Sequence, residues 1–185
     1  MKKGTFTYFV YICLVLLLCT TDIYGQLDVQ QLTEQQGLGN NTVNTIHQDR
    51  KGFLWIGTDI GMTRYGGNYF HTYNLSRPGG EPISISNIEE TEDRYLWLES
   101  EDGILSCFDK QQEKYLPIQW NDEIKQEEIQ KLYSTGNTLY AILPNGLYMI
   151  DVKSDGKMIQ LNKKPILENK KLFQSLSGQG TNLYL

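Results

Sequence analysis

The chain has 185 residues, with 17 Lys and Arg against 22 Asp and Glu, a formal net charge of −5. That length suits a single domain of ordinary size. An acidic balance with no basic cluster excludes nucleic-acid binding driven by phosphate neutralisation and leaves small neutral ligands open.

Residues 1–25 read as a secretory signal peptide. Lys2 and Lys3 make a positive start, and Phe6 to Cys19 is an almost unbroken apolar run. Such a run falls short of the roughly 20 residues that span a bilayer, so a cleaved leader is expected rather than a membrane anchor. Cleavage is expected after Gly25. Cys13 and Cys19 leave with the leader, and Cys107 alone reaches residues 26–185. No intramolecular disulfide framework is then available. Cys107 lies in the apolar tract Ile104–Phe108 and is expected to be a packed strand thiol.

A lone strand is expected at about 27–33. Beyond it, internal repetition dominates. An aromatic preceded by leucine recurs as Trp55, Trp97, Tyr140 and Tyr184, at intervals of 42, 43 and 44 residues. Six residues after the first three comes a glycine, Gly61, Gly103 and Gly146. Upstream, apolar pairs spaced by three recur as Val43/Ile46, Ile85/Ile88, Ile129/Leu132 and Phe173/Leu176. Landmarks that hold one register over four units mark a repeat architecture.

Within the first unit, Phe53–Ile56 is a short apolar run of strand formers and Thr58–Gly61 supplies a hairpin turn. Met62–Tyr65 makes a third strand, Gly66–Gly67 a second turn, and Tyr69–Tyr73 an outer fourth. The second and third units repeat this with turns at Glu101–Gly103 and Pro144–Gly146. Polar connectors such as Asn74–Gly80 separate the units. Asn121–Tyr133 is charged and has a competing helical pattern, but Ile129 and Leu132 fall in the repeat register, so a connector and a strand are expected.

Four short strands at this period predict an all-β chain: an incomplete β-propeller of about three and a half four-stranded blades after a signal peptide. The units fall at about 37–76, 83–120 and 128–162, with a truncated fourth at 172–185. The chain therefore reads as a fragment, and in a full ring the strand at 27–33 would pair with the last blade.

No catalytic, metal-binding or cofactor-binding residue stands out, and no cofactor is expected. His47 and His71 are the two histidines, and no carboxylate pair stands beside them at ligand-like spacing. No Gly-x-Ser-x-Gly elbow exists for nucleophilic catalysis. The acidic pairs Asp122/Glu123 and Glu127/Glu128 read as a solvated connector rather than glycosidase carboxylates. The aromatics suit sugar stacking, yet Trp55, Trp97 and Tyr140 recur in every unit and are expected between blades. Trp120, Tyr95 and Tyr115 lie off that register and are freer for a surface role. The ligand-binding residues stay unknown.

Gly37–Asp49, running into Gly52-Phe53-Leu54-Trp55-Ile56-Gly57-Thr58 and then Gly61-Met62-Thr63-Arg64-Tyr65, resembles the two-component regulator propeller repeat. It is most similar to the opening blade of hybrid two-component sensor regulators. The likeness is dense over residues 32–73. It fades where the later units read Trp97-Leu98-Glu99-Ser100 and Tyr140-Ala141-Ile142-Leu143.

The resemblance implies a periplasmic propeller that senses an oligosaccharide. In a full-length protein anchored in the inner membrane it would signal to a histidine kinase and regulator, and it allows a homodimer. This chain would then be the exported sensor portion and not an enzyme. An exported scaffold, a truncated remnant without activity of its own, or part of a propeller-fold carbohydrate-active enzyme are the alternatives.

Overall fold

The computed structural model describes residues 4, 8, 11, 29, 31–92, 94–120, 129–168, 177–179 and 182–184. The chain divides into a unit at 1–31 and a second at 32–185. In the first, Gly4, Tyr8 and Tyr11 are helical, and most of the expected signal peptide lies outside the described residues. Residues 121–128, where a helix competes with a connector, lie outside them as well.

The second unit is built from antiparallel four-stranded sheets laid down in chain order. The first blade is β1 (Val43–Gln48), β2 (Leu54–Thr58), β3 (Gly61–Tyr65) and β4 (Phe70–Asn74), each hydrogen-bonded to the next. The second is β5 (Ile85–Thr91), β6 (Tyr95–Ser100), β7 (Leu105–Asp109) and β8 (Lys114–Leu116). In the third, β10 (Lys131–Thr135), β11 (Thr138–Leu143), β12 (Gly146–Ser154) and β13 (Ile159–Glu168) repeat the order. A hairpin of β14 (Ser177–Gln179) and β15 (Asn182–Tyr184) lies in the expected fourth unit. This is the incomplete propeller read from the repeat, with Trp55, Trp97, Tyr140 and Tyr184 all on the second strand of their units.

Two segments depart from the expected layout. The second blade closes at Leu116, and β9 (Ile118–Trp120) crosses to pair in parallel with β13, from Ile159 opposite Ile118 to Leu161 opposite Trp120. The ten-residue β13 offers a long outer edge, and covering such an edge removes unpaired backbone groups. At 27–33, the described residues Val29 and Gln31–Thr33 belong to no strand, since no described segment pairs with them. Thr33 instead caps a 3-10 turn at Glu34–Gln36 that leads into the opening motif.

Strand alternation gives each blade two faces, and both faces of blade two are buried. Trp55, Met62 and Tyr73 of blade one meet Ile85, Ile88, Leu96, Leu98 and Phe108 of blade two in one core. The opposite face of blade two, with Tyr95, Trp97, Leu105, Cys107 and Leu116, meets Leu132, Leu139, Tyr148, Ile150 and Leu161 of blade three in a second. Cys107 is fully buried there, and burial pushes its thiol pKa up, away from the reactive thiolate.

The first seam also explains a glycine. A Cβ on Gly57 would lie 2.6 Å from Thr45 Cγ2 and 2.9 Å from Ile85 Cγ2, across the blade interface. Gly57→Ala is therefore expected to force the seam apart and cost about 1–3 kcal/mol. Denaturant melts would show it, and a variant as stable as the parent would mean that the seam yields freely.

Candidate functional site

Because the strands are antiparallel, the start of each inner strand, the turn between second and third strands, and the connector to the next blade share one end of the sheet. At this end β1 slips register between Val43 and Thr45, and β5 does so at the equivalent place, between Ile85 and Asn87. Bulges of this kind re-aim side chains and recur near binding sites. Asn44, in the first slip, donates from Nδ2 to Asp59 Oδ1 at 2.9 Å and to Ser84 Oγ at 3.0 Å. Ser84 completes the triangle by donating to Asp59 Oδ1 at 3.2 Å. The start of β1, the β2–β3 turn and the connector to blade two are thereby joined by amide, carboxylate and hydroxyl groups. Further along, Arg77 of the connector pairs with Asp102 of the next blade's turn.

At the same end, between blades two and three, opens a cavity of about 530 Å³ lined by Ser86, Glu99, Glu101, Asp102, Ile129 and Gln130, among others. Its size lies in the range of small-molecule sites. Glu99 forms part of its wall and is 7% exposed. Burial pushes its carboxyl pKa up, against the pull of Lys131, Asn87 and the Leu132 N–H.

The opposite end is an ionic clamp. Lys110, between β7 and β8, sets Nζ 3.2 Å from Asp49 Oδ2 and pairs with Glu90, and all three side chains are nearly inaccessible. Asp49 also accepts from the Trp55 indole at 2.9 Å. Burial raises the Asp49 carboxyl pKa, but the indole N–H and the Lys110 charge outweigh it and leave it below its ordinary value. Nearby, Asp109 accepts from Arg94 Nε and Nη2 at 2.9 and 2.7 Å. A cavity of about 350 Å³ opens at this end between Glu92, Tyr95, Asn137 and Ser154. Its polar groups are spent on links between blades, Tyr95 Oη donating to Ser154 Oγ at 2.9 Å and Glu92 N to Asn137 Oδ1 at 3.2 Å. The connector end, whose polar groups border the larger cavity, is the better candidate.

The aromatics expected at the surface are mostly packing residues. Tyr95 is buried in the second core, and Tyr115 packs on the first with its hydroxyl donating to Tyr73 O at 3.0 Å. Both sit on strands whose two faces are covered by neighbouring blades, so being off the repeat register does not free them. Trp120 lies on β9 and packs, partly buried, against the second core. Trp55 and Trp97 are buried between blades as expected, whereas Tyr140 is half-buried with Tyr133 beside Ile142 and Leu147.

His47 lies with Nε2 3.7 Å from Glu90 Oε2, and His71 stacks at a tilt on Tyr73 with ring centroids 4.5 Å apart. The structure does not bring them together. Among the described residues no group of three or more His, Cys, Asp or Glu is arranged to hold a metal ion, and no helix is long and apolar enough to cross a membrane. Asp122, Glu123, Glu127 and Glu128 lie outside the described residues.

Residues 37–59 match the model of the two component regulator propeller family. No curated protein matches the chain. Among solved structures, the chain is similar to the extracellular domain of a hybrid two component system from B. thetaiotaomicron, at 25% identity and a TM-score of 0.49, covering 66% of this chain and 18% of that one. A second such domain from the same organism aligns at 18% identity and a TM-score of 0.49, covering 73% and 17%. PorZ, an essential surface component of the type-IX secretion system of Porphyromonas gingivalis, aligns at 12% identity and a TM-score of 0.43, covering 67% and 16%. The chain thus spans less than a fifth of the length of each of these structures.

Proposed function

We infer, from a chain whose residues 37–59 carry a two component regulator propeller repeat, that it is the exported ligand-sensing portion of a two-component signalling protein. The observation that carries this reading is where the repeat falls. Its matched segment includes β1, β2 and both Asn44 and Asp59, the pair that organises the connector end of blade one. The ligand class proposed is a neutral oligosaccharide. Amide, hydroxyl and carboxylate groups along the connector end, from the Asn44–Asp59–Ser84 triangle to the larger cavity, suit a ligand that offers many hydroxyls and no charge. The location proposed is the periplasm, with the signal peptide at 1–25 directing export. Further blades would complete the ring, and a membrane-linked kinase and regulator would carry the signal. This reading assigns the chain no catalytic step.

Calorimetric titration of the chain with pools of neutral oligosaccharides tests it. At least one pool is expected to bind, and Asn44→Ala is expected to weaken that binding about tenfold or more, the loss of one to two hydrogen bonds at the site. Binding untouched by Asn44→Ala would move the site elsewhere, and failure of every pool would overturn the ligand class.

A further inference from the structure

The second position after each repeat aromatic is Gly57 in the first blade, Glu99 in the second and Ile142 in the third. In the first blade this position must be bare, because the neighbouring strand comes too close. In the second, the seam instead admits a carboxylate.

Glu99 Oε2 accepts from the Leu132 N–H at 3.3 Å and from Asn87 Nδ2 at 3.5 Å, while Asn87 Nδ2 also donates to Leu132 O at 3.0 Å. Together Asn87 and Glu99 capture both backbone groups of Leu132, as a neighbouring strand would. Two residues on, Glu89 Oε2 accepts from Ser134 N at 2.8 Å and from Ser134 Oγ at 2.6 Å. β10 is therefore fastened to blade two by side chains, and the link at Leu132 borders the connector-end cavity.

We propose that Glu99 makes the seam between the second and third blades responsive to pH, holding β10 tightly when protonated and less tightly when ionised. A proton on Oε1 removes a charge from a nearly closed site and leaves Oε2 free to accept the same two bonds. Ionisation keeps those bonds but holds a charge that is largely screened from water.

The charged and titratable groups facing Glu99 are Lys131 on β10, Glu89 on β5, and Glu101 and Asp102 on the cavity wall, Asp102 being paired with Arg77. Lys131 favours the ionised form and Glu89 opposes it, while burial is the largest influence and opposes it too. The folded carboxyl therefore holds its proton to higher pH than the unfolded one, whose ordinary value is 4.5. The stabilisation is complete below that value and is lost as pH rises through the folded value. The inference stands whether or not the ligand is an oligosaccharide.

The test compares wild type with Glu99→Gln, which mimics the protonated acid, by denaturant unfolding of the whole chain and by exchange of the Leu132 and Ser134 amides, corrected for intrinsic rates. At about pH 4 the two proteins should be equally stable; by about pH 8 wild type should have lost stability and Leu132 protection relative to Glu99→Gln. A carbon-13 titration of Glu99 in wild type supplies a reading that does not depend on the variant folding. Its midpoint should lie above that of glutamate in the urea-unfolded chain. A midpoint at or below that reference, or a stability difference that does not change with pH, would overturn the proposal.

Discussion

Replacing Lys110 with Ala is expected to destabilise the folded chain by about 3–5 kcal/mol, the cost of leaving buried charge unpaired. Lys110 is 5% exposed at its side chain and lies between Asp49 at 1% and Glu90 at 6%. It joins the β7–β8 turn of blade two to the β1–β2 turn of blade one and to β5. Without its ammonium, two carboxylates face one another out of water. Asp49 would keep the Trp55 indole and the backbone N–H groups of Lys51 and Phe53, whereas Glu90 would keep the Arg50 N–H at 3.2 Å. The loss should therefore be partly recovered when Glu90→Gln is added, because one of the two stranded charges is then gone. Denaturant melts of the two single variants and the double variant read the coupling directly. A Lys110→Ala chain within about 0.5 kcal/mol of wild type, as an exposed pair would give, would show that the clamp is hydrated and weak.

Trp97→Ala should cost about 3–5 kcal/mol by opening a cavity in the second interblade core. The indole is fully buried, and Nε1 donates to Thr91 Oγ1 at 2.7 Å. The same link, from the repeat aromatic to the residue six before it, joins Trp55 to Asp49 in blade one. Tyr140, at the equivalent place in blade three, is only partly buried, so Tyr140→Ala should cost less than half as much. Equal losses at the two positions would mean that burial between blades is not what fixes the contribution of the aromatic.

The repeat period carried most of the architecture because each landmark has a local cause. The aromatic must sit between blades, and Gly61, at φ +120°, takes a backbone conformation that other residues resist. Those demands recur every blade and so can be read from one chain. Tyr95 was expected at the surface and is buried instead; it precedes Trp97 by two residues on one strand and must share its face, a signal that the repeat register masked.

The clamp was not legible. Asp49 and Lys110 stand 61 positions apart, in turns whose adjacency exists only once two blades pack. Glu99 was visible as a departure from the Trp-Ile-Gly-Thr wording of the first blade. Its partners, though, are backbone groups of Leu132, and no side-chain pattern announces a backbone acceptor or donor. The connector-end network is hidden for the same reason: Asn44 on β1 and the turn and connector residues Asp59 and Ser84 look ordinary until the register slip in β1 brings them together.

The sensing role is tested most directly by amide hydrogen exchange of the chain with and without a bound neutral oligosaccharide. A ligand seated at the connector end should slow exchange around Asn44, Ser84 and Glu101–Gly103 while leaving the turns at Asp49–Gly52 and Lys110–Glu113 unchanged. Slowing confined to those opposite turns, or no change at any amide with any oligosaccharide offered, would contradict it.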